Sequence, residues 1–162
     1  MNAKDLLKEL ELEAPASRKC LERIPTKLFD WKPHEKSMKM GYLALIVAEV
    51  PRWISTAIEK GEINFGTFKH NEPKTTEELV AEFDKNMEGA RQALSHASDK
   101  DMAGMFYLKM GDKVLLSGTK FETVSQSINH LVHHRGQLTV YMRLNNIPVP
   151  SIYGPSADDK TF

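Results

Sequence analysis

The sequence has one cysteine, no excess of charge of either sign and no long apolar run, and each of these absences excludes a class of protein. With Cys20 alone, no disulfide can form within the chain, which is typical of proteins in a reducing compartment. The 22 Lys and Arg residues balance the 22 Asp and Glu residues. Because nucleic-acid binding usually needs a cationic surplus, we expect no nucleic-acid partner.

Apolar runs are also too short for a membrane protein, since crossing a bilayer takes roughly 18 to 20 residues. The first segment, MNAKDLLKELELEAP, mixes acidic and basic residues and lacks the apolar core of a secretory signal. We therefore expect a cytoplasmic protein with no membrane partner. A length of 162 residues suits a single domain, which we predict over residues 1–162.

Apolar residues recur at helical spacing in four segments, which predicts four amphipathic helices. Pro15 interrupts the first, which predicts either a kink or a split into two helices. The second runs from Ser37, a predicted N-cap, to about Lys60. The third and fourth begin at capping-box spacings, and the fourth runs to about residue 145; the two boxes are Thr75 with Glu78 and Thr119 with Glu122.

The segments between these helices differ in character. Residues 60–75 contain two glycines, a proline and little periodicity, which predicts a long crossover loop after the second helix. Gly111 and Asp112 lie between aromatic and β-branched residues, which predicts a small β-hairpin before the fourth helix. Residues 146–162 hold three of the eight prolines and predict an extended C-terminal tail. The economical architecture is an all-α four-helix bundle.

Three histidines fall within five positions of the fourth helix, at 130, 133 and 134. At about 100° per residue, His130 and His134 share one flank of the core face, while His133 points nearly opposite the core. Imidazoles one turn apart can both reach a cation at nitrogen–metal distances near 2.1 Å. Two ligands fall short of the three or four that zinc usually takes, so a polar flank or a subunit contact stays an alternative.

Other chemistry-bearing residues favour structural roles. Around the axis of the fourth helix, Arg135 lies close to the apolar face that points to the core. It therefore needs an anionic or hydrogen-bonding partner, unless its side chain extends past the core edge to solvent. Glu49 favours a salt bridge, because charged groups inside bundles are ordinarily paired. Cys20 is expected to be a small buried apolar residue. The remaining histidines, His34, His70 and His96, are expected to be solvated.

Three segments resemble the DinB-like (DinB/YfiT) superfamily, in the same order along the chain. INHLVHHRGQLTVYMRLNNIPVPSIYGPSADD resembles its last helix and tail, WKPHEKSMKMGYLALIVAEVPRW its second-helix region, and PKTTEELVAEFDKNMEGARQAL its third helix. The resemblance implies a four-helix bundle with up-down-down-up connectivity, frequently a homodimer. It also implies a divalent metal, nickel or zinc, held by three histidines.

Carried over residue by residue, the resemblance assigns two of those ligands to His130 and His134. The third belongs to a pattern like LAxHxAE in the second helix, which here is LALIVAE with Ile46 at the ligand position. Isoleucine offers no lone pair, so metal affinity is expected to fall steeply. Glu49 supplies an oxygen only if the site shifts. Gly136, within the HRGQ of the last helix, is expected to allow close helix approach.

Two function classes follow from this resemblance. The favoured one is a DinB-like small-ligand-binding or scaffold protein whose metal site is degenerate or weak. The alternative is a metal-dependent thiol S-transferase or hydrolase, in which His130 and His134 hold the ion and Arg135 orients an anionic substrate. A link to DNA damage, which the family name suggests, has no basic stripe or base-reading motif to support it.

Overall fold

The computed structural model describes residues 2–161, and four long helices form most of it. Beside them lie a short helix and three strands; the helices are α1 Ala3–Glu22, α2 Met40–Lys60, α3 Thr76–His96, α4 Asp99–Met102 and α5 Lys120–Leu144, and the strands are β1 Glu62–Asn64, β2 Met105–Met110 and β3 Lys113–Thr119. A 3₁₀ turn, Thr26–Leu28, follows α1. The four predicted helices are confirmed.

Contacts between the long helices give their relative directions. Asn86 donates to the Ala48 carbonyl, and Gly89 lies beside Ser55, so α3 runs parallel to α2. Arg18 pairs with Asp84 while Glu11 pairs with Arg91, which makes α3 antiparallel to α1.

Helix α5 runs antiparallel to α2, which gives the direction of the last of the four long helices. Trp53 packs on His130, and Lys120 donates to the Ile58 carbonyl, so the two helices run in opposite directions along their contact. This is the up-down-down-up connectivity that the resemblance implied. The bundle core includes the apolar face of α5, whose members are all buried: Val124, Ile128, Leu131, Leu138 and Met142.

Helix boundaries differ from the sequence-based predictions at three points. Helix α1 continues through Pro15 from Ala3 to Glu22, so a split at this proline is wrong. Helix α2 begins at Met40 with Lys39 in the N-cap position and no side-chain cap, so Ser37 is not the cap. The capping box at Thr119 is confirmed with both bonds present. At Thr75 only half of the box forms, because Glu78 accepts a hydrogen bond from the Lys74 amide instead.

A mixed three-stranded sheet packs at one end of the bundle. The predicted hairpin is confirmed as β2 and β3, and Gly111 takes a positive φ of 59° in its turn. The crossover contributes β1, which pairs parallel to β2, so the prediction of an unstructured loop there is incomplete. Ile63 and Phe106 pack on Ala57 of α2 and attach the sheet to the bundle. Residues 148–161 contain no helix or strand.

Candidate metal centre and adjoining cavity

His130 and His134 face each other across one turn of α5. Their Nε2 atoms lie 2.7 Å apart, and Nδ1 of His134 lies 2.7 Å from Oε1 of Gln137. Since an amide oxygen only accepts, His134 carries its proton on Nδ1, and its Nε2 accepts a hydrogen bond from His130. The structure thus brings together the two histidines that the sequence singled out, and it adds Gln137 as the group that orients one of them.

The environments of the two rings differ. His134 is buried, with 8% of its surface exposed, whereas His130 is exposed and its ring lies 5.4 Å from the ring of Trp53. Partial burial of its imidazole lowers the pKa of His130, and the neighbouring His134 and His133 lower it further. A neutral imidazole is the form that binds a metal ion, because coordination needs a free nitrogen lone pair.

The histidine pair only partly fits a divalent metal. The hydrogen bond that His134 donates to Oε1 of Gln137 is the kind of outer contact that orients metal-binding imidazoles. Two nitrogens bound tetrahedrally at about 2.1 Å lie roughly 3.4 Å apart, so the rings would have to separate by roughly 0.7 Å. Within residues 2–161 no group of three or more His, Cys, Asp or Glu side chains is placed to hold an ion. The donor set suits weak binding by two ligands.

The position of the missing third ligand is on α2, inside the core of the bundle. Ile46 is buried, with 8% of its surface exposed, and belongs to the main apolar cluster. Glu49, one turn further on, is fully buried, and its carboxylate contacts Arg52 at 3.2 Å and Nδ1 of His70 at 2.5 Å. The predicted salt bridge of Glu49 is therefore confirmed. His70 pairs with Glu49 of α2, so the expectation that it is only solvated is wrong. The crossover brings His70 to this position.

Arg135 lies on the side of α5 that faces α1. Its side chain is 2% exposed, its Nη2 lies 2.6 Å from Oε2 of Glu13, and Nη1 donates to Ser17 and to the Glu13 carbonyl. Nη2 also donates to the hydroxyl of Tyr153 in the tail. These contacts give the guanidinium a structural role; that Arg135 also orients a ligand stays a prediction.

Three further expectations concern single residues. His133 is exposed, as predicted. Cys20 is fully buried, and burial raises its pKa to about 11, which suits an unreactive core thiol. A Cβ built on Gly136 would meet nothing within 4 Å in the described part of the chain. The expected close helix approach at Gly136 is therefore wrong for contacts within this chain.

An apolar cavity of about 220 Å³ adjoins the histidine pair. It lies between the sheet and helices α2 and α5; its walls are Trp53, Ile63, Phe65, Phe106, Leu108, Leu116, Thr123, Gln126, Ser127 and His130. Sequence reasoning missed this cavity because the sheet residues come from two separate segments of the chain. The apolar residues on both faces of the hairpin were the only available signal, since an ordinary surface hairpin exposes polar residues on one face.

A match to a protein-family model decides the family relationship that the last helix suggested. The model of the DinB family matches residues 1–161. The chain belongs to the DinB family. Among curated proteins, a 32-residue segment is 53% identical to the uncharacterized protein YrdA of Bacillus subtilis (strain 168), a match over 20% of this chain. That match spans 19% of the length of YrdA.

Solved structures of DinB-like proteins share the fold over nearly the whole chain. The DinB-like protein YjoA of Bacillus subtilis superposes with a TM-score of 0.72 at 16% identity, covering 96% of this chain and 99% of that one. A DinB-like protein of Bacillus cereus ATCC 10987 superposes with a TM-score of 0.71 at 24% identity, covering 93% and 97%. At such identities the likeness concerns the fold alone. In addition, no helix within residues 2–161 is long and apolar enough to cross a bilayer.

Proposed function

We propose that this DinB-family protein binds a small, mainly apolar molecule in the cavity beside His130, next to a divalent-metal site that is weak. The observation that carries the proposal is the histidine pair without a third ligand. His130 and His134 turn their Nε2 atoms towards each other, while the position that would complete the set is Ile46 in the core. Nickel or zinc binding at this pair stays a prediction.

The cavity supplies the second part of the proposal. At about 220 Å³ it is smaller than the ~300–1,000 Å³ typical of drug-sized ligands, so it suits a compact molecule. Its walls are mostly aromatic and aliphatic, with His130 as the one titratable group. A ligand with an apolar ring and one hydroxyl group would fill the cavity and bond to the imidazole.

Metal analysis of protein purified without a histidine tag tests the weak site. We expect dialysed wild-type protein to retain much less than one equivalent of nickel or zinc, and Ile46→His to retain about one. Adding His134→Ala to Ile46→His should abolish that gain, because only two imidazoles would then remain at the site. One equivalent of tightly bound metal in the wild type would overturn the weak-site proposal.

Ligand binding can be followed by titration calorimetry, which does not depend on the number of tryptophans. We expect 4-nitrophenol to bind saturably, and Leu116→Trp, which fills the cavity from β3, to weaken binding at least tenfold. The matched control is Leu115→Trp, because Leu115 is 46% exposed and does not line the cavity, whereas Leu116 does. Equal affinity in both variants would exclude the cavity as the binding site.

A metal-dependent thiol S-transferase or hydrolase is the second candidate. Gln137 favours it, because the Gln137–His134 hydrogen bond holds an imidazole as in a working metal centre. A bound ion could lower the pKa of a thiol and so supply a thiolate. Nickel-loaded protein should then consume a low-molecular-weight thiol with an electrophile, and His130→Ala should not. No consumption above the protein-free rate would exclude the transferase.

The remaining expectations are a homodimer and a cytoplasmic location, and both stay predictions. Analytical ultracentrifugation would test the first, and cell fractionation the second.

A further inference from the structure

A second cavity, of about 430 Å³, lies between the C-terminal half of α2 and the crossover. Arg52, Thr56 and Lys60 line it from successive turns of α2, and Thr67, Phe68 and Lys69 line it from the crossover. Its volume falls within the range of ordinary small-molecule sites. Ile63 lines both this cavity and the apolar one, so the two are neighbours with different chemistry.

Arg52 is held in one orientation by the groups around it. Its Nη1 contacts Oε1 of the buried Glu49 at 3.2 Å and donates to the Lys69 carbonyl at 3.0 Å, and its guanidinium lies 4.5 Å from the centre of the Phe68 ring. Within residues 2–161, no side chain or carbonyl accepts a hydrogen bond from its Nε or Nη2. A guanidinium fixed through one nitrogen, with three N–H donors left on the other two nitrogens, is ready to bind an oxyanion.

The charge of the cavity favours an anion. Lys60 and Lys69 have no ion-pair partner in the described part of the chain, although the whole sequence has a net charge of zero. Glu62 is the one acidic residue in the wall, and its carboxylate lies 2.6 Å from Nζ of Lys109, which offsets its charge. Cations gathered in a cleft reinforce each other's field and attract anionic ligands.

From these contacts we infer that this cavity binds a small phosphorylated molecule. Arg52, Lys60 and Lys69 surround the phosphate, and the hydroxyl of Thr56 adds a neutral hydrogen-bond donor. Phe68 offers an apolar face to the organic part of the ligand. Glu49 acts as a positioning residue, since it holds Arg52 without lining the cavity itself. This site is separate from the histidine pair and does not depend on the function proposed for it.

Phenyl phosphate is a suitable probe, because it joins a phosphate to an apolar ring. Its affinity would be measured by calorimetry at constant ionic strength, and its position by the backbone amide shifts of the isotope-labelled 162-residue chain. We expect the largest shifts at residues 67–69 and a dissociation constant at least tenfold higher for Lys60→Gln/Lys69→Gln. The matched control, Lys8→Gln/Lys113→Gln, removes the same charge from two exposed lysines and should leave the affinity unchanged.

Further arms separate the contributions of the phosphate and the ring. Inorganic phosphate should shift the same amides with lower affinity, and benzyl alcohol should not shift them. Arg52→Lys keeps the charge but loses the planar set of guanidinium N–H donors, so it should also weaken binding about tenfold. Unfolding curves would verify that this variant is folded. The inference is overturned by equal weakening in the two double variants, by amide shifts located elsewhere, or by no binding of phenyl phosphate at millimolar concentration.

Discussion

Arg135 and Glu13 form an ion pair between α5 and α1, with Nη2 and Oε2 2.6 Å apart, the guanidinium buried and the carboxylate partly buried. The carboxylate of Glu13 also accepts a hydrogen bond from the hydroxyl of Tyr153, so the pair joins both helices to the tail. The bond from Arg135 to Ser17 extends the contact by one turn of α1. This cluster explains why a guanidinium occupies a core position one residue after the candidate ligand His134.

Removing the guanidinium should therefore destabilise the protein strongly. Arg135→Ala leaves Glu13 partly buried without its cation, and we expect the free energy of unfolding to fall by about 3–5 kcal/mol. Urea denaturation would measure the change. The control is Arg18→Ala, whose partner Asp84 is exposed, and whose effect should stay within about 1 kcal/mol. Similar effects of the two substitutions would contradict a structural role for Arg135.

The lowered pKa of His130 predicts how stability depends on pH. The unfolded histidine titrates near 6.5, and the folded one at a lower pH, so in between the unfolded state binds more protons. The stability contribution is therefore complete above about pH 6.5 and is lost as the pH falls through the folded pKa. Urea midpoints measured in a chelator from about pH 7.5 to about pH 5 should decline more steeply for the wild type than for His130→Gln.

His96→Gln is the control for this pH series, since His96 is exposed at the end of α3. It should reproduce the wild-type dependence. If His130→Gln declines as steeply as the wild type, then His130 does not carry the predicted proton linkage.

Two glycines should respond oppositely to the same substitution. A Cβ at Gly41 would lie 2.8 Å from Cβ and 3.1 Å from Cα of Phe29, so Gly41→Ala should lower stability by about 1–3 kcal/mol. Gly136 is exposed within α5 with open space around it, so Gly136→Ala should raise stability by about 1 kcal/mol through helix propensity. Thermal unfolding at one protein concentration would show both. A destabilised Gly136→Ala would reveal a contact to another molecule at that face.

Much of the bundle could be predicted from local patterns. The helix spacing, the capping box at Thr119 and the Gly111 turn depend on neighbours within a few residues, and the structure confirms each. Predictions failed where distant residues decide the outcome. Helix α1 passes through Pro15, and β1 becomes a strand only because β2 lies alongside it.

The candidate site also has a part that the sequence predicted and a part that it did not. The i,i+4 spacing placed His130 and His134 on one flank of α5, because helix geometry is local. The partners of Glu49, Arg52 and His70 come from different elements, so no spacing in the chain revealed them. The apolar cavity likewise needs the sheet to close over the helices.

The sequence by itself determined the four amphipathic helices, the two adjacent imidazoles and the absence of a histidine at position 46, since each of these depends on residue identity and helical periodicity. Only the tertiary structure decided that Arg135 binds Glu13, that His70 reaches Glu49, and that two cavities of opposite polarity share Ile63. The physical reason is that burial and long-range pairing depend on how separate elements pack, which the periodicity of one segment cannot specify.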